Sequence, residues 1–249
     1  MKVNKTNLRV EEPTKWMTMG TAEVLAEFGG VPGAVARGEG DQAFVYVPGA
    51  RRNCVLLDAH ADTVWDKYGI PCKLEYADGV FRSGAERRGI GADDRAGCDM
   101  LWCLRDLGHS LLVTSGEENG QQASRAIMED EAHRDIAEEI QQTHQFAVEF
   151  DRRHARDFKC YDVGTDEFRA YCAQMTGYTE PDREPVTDIC VLCRDICGVN
   201  LSVGFYGEHT PDETLNVAEW QGTLLMARTW LADEQLPRFV RNNSGMTYL

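Results

Sequence analysis

Residues 54–65 read CVLLDAHADTVW. The run CVLLDAH (54–60) is short and rich in aliphatic residues, so it reads as a strand. It delivers a histidine at its end, followed two positions later by an acid. Side chains at i and i+2 of an extended chain point the same way. Asp62 can therefore support His60 and fix its tautomer. Taken alone, a His-x-Asp step reads more simply as a satisfied loop histidine.

Outward from this stretch, short apolar runs alternate with helical patterns. AFVYV (43–47), SLLVTS (110–115), QFAVEFD (145–151) and VNLSVGF (199–205) read as further strands. KLEYADGVFRS (73–83) reads as a hairpin turning at Asp78-Gly79. Residues 95–107 carry a helical stripe of Cys98, Leu101, Trp102 and Leu104. Residues 121–144 read as one or two helices with a polar outer face, and 165–177 as another. Thr187 or Asp188 can cap a helix running to about Asp195. Residues 216–231 read as a closing amphipathic helix. Strands separated by helical segments need crossover connections, hence a largely parallel sheet covered on both faces. With no internal repeat and no long linker, one α/β domain over residues 1–249 is the economical reading.

Composition narrows the function. The chain has 249 residues, 43% hydrophobic and 27% charged. It is long enough to bury a core without disulfide staples, and the disordered, collagen-like and coiled-coil classes are excluded. Lys and Arg number 26 against 41 Asp and Glu, a net charge of −15. That sign argues against nucleic-acid or anionic-membrane partners. The excess acid is either solvated surface or carboxylate facing a cation. No apolar run approaches the length of a membrane span. The opening MKVNKTNLRVEEP lacks an apolar stretch of signal-peptide length. The nine scattered cysteines fit reduced thiols, so a cytoplasmic protein is expected.

The chemistry gathers at the ends of the strands, where open α/β sheets form their sites. GIGADDRAGCDML (89–101) sets Asp93 and Asp94 between a glycine-rich turn and a helix. A pair of acids there could merely favour the helix dipole. SLLVTSGEENG (110–120) places Glu117 and Glu118 just after a strand. Two neighbouring acids can divide the work, one binding a cation and one moving a proton. QFAVEFD ends in Asp151, and VNLSVGFYGEHTPDE (199–213) carries His209. The set of two histidines and several carboxylates is a mixed nitrogen and oxygen environment. It suits zinc and, less selectively, manganese or cobalt.

The segments DAHADT, GIGADDRAG, VTSGEENG and GEHTPDE, in this order over residues 54–217, resemble the co-catalytic zinc exopeptidases. That superfamily includes peptidase T, glutamate carboxypeptidase, bacterial aminopeptidases and acetylornithine deacetylases. The resemblance implies a three-layer α/β/α sandwich around a mixed, mostly parallel sheet. It implies two divalent ions, most simply zinc. His60, Asp93 and Asp151 would hold one, and Asp93, Glu118 and His209 the other, with Asp93 bridging. Glu117 would be the general base for a water activated by the two metals, then the acid for the leaving amine. Asp62 would orient His60, and the Asp93–Asp94 bond would be cis. The activity implied is hydrolysis of an amide in a small peptide or N-acylated amino acid. A homo-oligomer is left open.

Peptidase T and the deacetylases carry a lid or dimerisation domain inserted before the final histidine. The short stretch between Asp151 and His209 leaves no room for one, so a catalytic domain alone is expected. Arg152 and Arg153 follow a proposed ligand. They read either as surface charge or as cations for a substrate carboxylate. Tyr206 and Glu208 are candidate pocket walls. Cys190, Cys193 and Cys197 fit one face of a helix, at i, i+3 and i+7, better than a structural zinc motif. His109, His133 and His144 match no ligand position and read as surface residues. Two other functions compete. One is a non-catalytic metal-binding or interaction protein, against which an intact Glu117 argues. The other is a thiol-redox or iron–sulfur protein built on the 190–197 cysteines.

Overall fold

The computed structural model describes residues 14–69, 72–182 and 186–241. The opening segment MKVNKTNLRVEEP, read above for a targeting signal, lies outside the described residues. The central sheet has seven strands: β1 (Val35–Arg37), β2 (Phe44–Val47), β3 (Leu56–His60), β6 (Ser110–Thr114), β7 (Ala147–Arg152), β8 (Phe158–Lys159) and β9 (Gly198–Ser202). Their spatial order is β1-β2-β6-β3-β7-β9-β8. The inner four, β6, β3, β7 and β9, run parallel, and the outer strands pair antiparallel. The sheet is thus mixed and mostly parallel inside.

Alternation along the inner strands decides what each face buries. Leu57, Ala59, Val113 and Val148 point into one core, with Trp16, Phe28, Phe168 and Trp220. That layer is built by α1 (Thr14–Met17), α2 (Thr21–Gly29), α3 (Ala92–Leu104), α6 (Asp166–Thr176) and α8 (Val217–Leu231). Leu56, Leu112 and Ala147 point into the other, against α4 (Gln122–Glu129), α5 (Arg134–Thr143) and α7 (Asp188–Leu192). Each fully buried aliphatic or aromatic side chain contributes about 1.5–3 kcal/mol. The three-layer sandwich therefore follows from strands that are apolar on both faces.

Local signals set the element ends. Thr165 caps α6 by accepting from Phe168 N, and Asn216 caps α8 by accepting from Ala218 N and Glu219 N. The hairpin β4 (Leu74–Ala77) and β5 (Val80–Ser83) turns at Asp78 and Gly79, both at positive φ. It joins β10 (Phe205–Tyr206) and β11 (Thr214–Asn216) in a separate antiparallel sheet of order β10-β11-β5-β4. The chain leaves β3 for β6 over α3 on one face. It travels from β6 to β7 over α4 and α5 on the other. Loops that part to opposite faces open a crevice at the carboxyl ends of the strands.

Three expectations need correcting. The helix starting at Thr187 is short: α7 ends at Leu192. Cys193 packs with the α4–α5–α7 layer, whereas Cys197 lies in the opposite core, so the cysteines do not share one helix face. All nine cysteines are free thiols, and no group of three metal-ligating side chains among the described residues includes one. His109 and His144 are buried, not on the surface. His109 Nδ1 accepts from Val55 N (3.1 Å) and its Nε2 lies 2.9 Å from Leu231 O. His144 Nε2 lies 2.8 Å from Ser110 Oγ. Both close the amino-terminal end of the sheet, where a ring satisfies backbone and hydroxyl groups.

Burial pushes both His109 and His144 down to about 4. The folded value then lies below the unfolded value of about 6.5. Their contribution is complete above pH 6.5 and is lost as pH falls toward 4. His144→Gln should remove part of that loss. Urea denaturation at pH 7 and pH 4.5 should give a wild-type loss larger than the variant's by about 2 kcal/mol. Equal losses would contradict the assignment.

Candidate active site

Five segments converge at the crevice. β3 supplies His60, the start of α3 supplies Asp93, the loop after β6 supplies Glu117 and Glu118, β7 supplies Asp151, and the loop before β11 supplies His209. His60 Nε2 lies 3.2 Å from Asp93 Oδ1 and 3.3 Å from Asp151 Oδ1. His209 Nε2 lies 3.1 Å from Asp93 Oδ2 and 3.0 Å from Glu118 Oε2. Two triads therefore form, His60–Asp93–Asp151 and Asp93–Glu118–His209, each with ligand atoms within 4.8 Å of one another. Asp93 belongs to both, with one oxygen toward each histidine.

The local backbone is built around Asp93. The Asp93–Asp94 peptide is cis, as the resemblance implies. Asp94 is fully buried and accepts from Gly97 N (3.0 Å) and His60 N (3.3 Å), tying α3 to β3. Gly97 is required there: a Cβ would stand 2.1 Å from Phe150 O and 2.4 Å from Asp94 Oδ1. Glu213 braces the other side. Its carboxylate accepts from Gly91 N (2.8 Å), Asp93 N (3.1 Å) and Trp65 Nε1 (3.0 Å). Burial pushes the Glu213 carboxyl up to about 7. Gly89 has no room for a Cβ either, which would meet Glu213 Oε2 at 2.4 Å.

Asp62 touches His60 in two ways. The ring Nδ1 lies 3.0 Å from the Asp62 carbonyl and 3.4 Å from its carboxylate. The carboxylate itself accepts from the backbone of Glu117 and Glu118, at 3.3 Å each. Asp62 thus aligns the ring chiefly through its main chain and anchors the two glutamates with its side chain. Thr187 Oγ1 reaches Asp151 Oδ2 (2.9 Å), and Asp151 N donates to Asn200 Oδ1 (3.0 Å).

Glu117 belongs to neither triad. Its Oε2 lies 4.0 Å from His60 Nε2, and Gln121 Nε2 donates to its Oε1 (2.9 Å). Burial, with the charge of Asp151 added, pushes the Glu117 carboxyl up to about 8 against the pull of His60. Burial also raises Asp151, to about 7. Hydrogen bonds that the His209 ring donates to Asp93 and Glu118 raise it to about 11. Four carboxylates thus face two imidazoles in a largely buried space. Such an excess of negative charge, presented as oxygen and imidazole nitrogen donors, fits divalent cations.

The cleft beside these groups has a volume of about 290 Å³. Arg152, Arg153, Tyr161, Thr187, Phe205 and Glu208 line it with the acids and His209. Arg152 is buried and gives its Nε to Asp157 (2.7 Å), and Arg153 pairs with Glu208. Tyr206 is not among the lining residues, and its hydroxyl donates to Glu219 (2.8 Å). A larger pocket of about 780 Å³ lies elsewhere, beside Trp102 and Leu224, and is lined by none of the cleft residues. Glu213, Thr187 and Asn200 were not singled out for the site from the sequence. Only Glu213 carried a signal, its place in the GEHTPDE segment.

The chain has the fold of peptidases, the fold that its sequence resemblance implied. Aminopeptidase PepT from Bacillus cereus superposes with a TM-score of 0.65 at 14% identity, over 90% of this chain and 97% of that one. A tripeptidase from Staphylococcus aureus gives 0.60 at 12% identity, over 90% and 96% of the two chains. PhTET1-12s, a dodecamer, gives 0.60 at 13% identity, over 88% and 98%. No protein-family model and no curated protein sequence matches the chain.

If Glu213 holds the Asp93 turn, Glu213→Ala should lower the unfolding free energy by about 2–4 kcal/mol, because three donors lose their acceptor. Glu208→Ala, at the cleft rim, should change it by less than about 1 kcal/mol. Chemical denaturation of both variants checks the contrast, and equal effects would refute it.

Proposed function

We propose that the chain is a metal-dependent hydrolase of amide bonds, acting on a small peptide or an N-acylated amino acid. The observation that carries this reading is the pair of triads sharing Asp93, with Glu117 beside them and outside both. His60, Asp93 and Asp151 would hold one divalent cation, and Asp93, Glu118 and His209 the second. The donor set suits zinc, with manganese or cobalt as substitutes. When bound, such cations supply Lewis acidity for a scissile carbonyl and for a water.

The chain's own groups then have separate tasks. Glu117 Oε2 takes a proton from the attacking water and returns it to the departing amine. Gln121 holds the other oxygen of Glu117 and keeps the carboxylate turned to the cleft. Asp62 holds the His60 ring at Nδ1 and fixes the backbone that carries Glu117 and Glu118. Arg153 is the cation best placed to meet a substrate carboxylate, since it lines the cleft and is only partly covered. Arg152 would act there only by giving up part of its hold on Asp157.

Further features support parts of this reading. The solved structures of like fold include an aminopeptidase and a tripeptidase, which favours a peptide substrate. Between β7 and β10 the described residues form β8, a 3₁₀ turn at Tyr161–Val163, α6, α7 and β9, all packed on the main sheet or its helical layers. That favours a catalytic domain without an inserted lid. No helix among the described residues is long and apolar enough to cross a membrane. The free thiols suit a reducing compartment such as the cytoplasm. The likeness to a dodecamer favours a homo-oligomer.

Glu117→Gln should cut turnover by about 10²–10⁴ on a panel of aminoacyl, peptidyl and N-acyl amino-acid amides, with bound metal near the wild-type level by elemental analysis. Surviving turnover would remove Glu117 from the mechanism. Chelation should lower the melting temperature, because cations that bind only the folded state stabilise it. Unchanged melting of the metal-free protein would count against the site.

A further inference from the structure

A second group of acids lies behind the cleft, between the sheet and the α4–α7 layer. Asp58, Glu149 and Asp188 are all buried, and each offers a carboxylate oxygen within 4.8 Å of the others. Asp58 and Glu149 are register partners on the adjacent parallel strands β3 and β7. Asp188 enters from the first turn of α7. Like charges set opposite one another on neighbouring strands repel, and burial makes the repulsion costlier. No lysine or arginine among the described residues pairs with any of the three. Arg152, beyond Asp151 on β7, gives its Nε to Asp157 instead.

Neutral donors satisfy only part of the cluster. Thr114 Oγ1 donates to Asp188 Oδ2 (2.5 Å), and Thr187 Oγ1 reaches Glu149 Oε1 (2.8 Å). Both oxygens of Asp58, Glu149 Oε2 and Asp188 Oδ1 have no hydrogen-bond partner among the described residues. An independent side chain points the same way. The fully buried Ser124 hydroxyl of α4 lies beside Asp188 and favours its charged form, yet completes no hydrogen bond of normal geometry. Four carboxylate oxygens are therefore left without partners in one buried spot, with the Ser124 hydroxyl beside them.

We propose that Asp58, Glu149 and Asp188, with Ser124, bind a further divalent cation buried behind the cleft. The donors are all oxygen, which selects a hard ion such as magnesium, calcium or manganese over zinc. Two oxygens bonded to one such ion stand at most about 5 Å apart, and the spacing of the cluster satisfies that limit. The ion replaces repulsion across β3 and β7 with attraction. It also reaches the cleft indirectly. The Thr187 hydroxyl touches both Glu149 Oε1 and Asp151 Oδ2, so fixing Glu149 fixes the partner of Asp151. Asp58, Glu149 and Asp188 are thus positioning residues for the cleft.

The test is calorimetric titration of the full, metal-free chain with Mn²⁺. Wild type should take up one equivalent per chain more than Asp58→Asn. That difference does not depend on how many ions the cleft holds. The variant Glu118→Gln with His209→Ala, which removes two ligands from one of the two cleft triads, should keep the extra equivalent over the same variant carrying Asp58→Asn. Failure of the cleft reading and failure of this one therefore give different counts. Crystals of the wild type grown with Mn²⁺ give a second readout should Asp58→Asn fail to fold. Anomalous density among the three carboxylates, separate from the cleft, is expected. Equal Mn²⁺ counts in wild type and a folded Asp58→Asn, or no such density, would overturn the proposal and leave three carboxyls that share protons.

Discussion

Asp93 is reached by two histidines at once, one at each carboxylate oxygen. Every other feature of the cleft is arranged around that sharing. Glu213 holds the Asp93 amide from one side, Asp94 pins the adjoining turn to β3, and Gly97 lets α3 approach Phe150 closely enough for this. A buried carboxylate in this position is stable only where positive charge meets it. Two imidazoles supply some of that charge. The three further carboxylates around them, Asp151, Glu118 and Glu117, leave an excess that metal cations would neutralise. The same logic extends behind the sheet, where Asp58, Glu149 and Asp188 repeat the problem without any imidazole in their group.

Much of this was legible in the sequence. A parallel sheet buried on both faces needs short, nearly continuous apolar strands, and CVLLDAH, SLLVTS and QFAVEFD have that form. The residues that converge at the cleft were legible because polar side chains at the ends of such runs are conspicuous. Asp58 and Glu149 were hidden by the same contrast. Each interrupts an apolar strand by one residue, and only the register of β3 against β7 brings them together. Asp188 looked like a helix cap, and it does open α7, yet its carboxylate turns inward. His109 and His144 misled because nothing local tells a solvated histidine from one that closes the end of a sheet. The second sheet was half visible: the 73–83 hairpin was plain, but its partners β10 and β11 are only two and three residues long.

The cleft walls also limit what the site can accept. At about 290 Å³ it sits at the small end of ligand pockets, which agrees with a short substrate. Arg153 and Glu208 form an ion pair at its edge. A substrate carboxylate would compete with Glu208 for that arginine, whereas a substrate amine would favour Glu208 itself. On the proposed reading, which end of a substrate enters would be set by how this half-buried pair is divided.

On this reading one carboxylate, that of Asp93, joins two cations. Electron paramagnetic resonance of the Mn²⁺-loaded protein addresses it most directly, because two Mn²⁺ ions bridged by a carboxylate couple magnetically. The expected spectrum is that of an exchange-coupled pair, and it should disappear in Asp93→Asn. A spectrum of isolated Mn²⁺ ions alone, the same in wild type and Asp93→Asn, would contradict it.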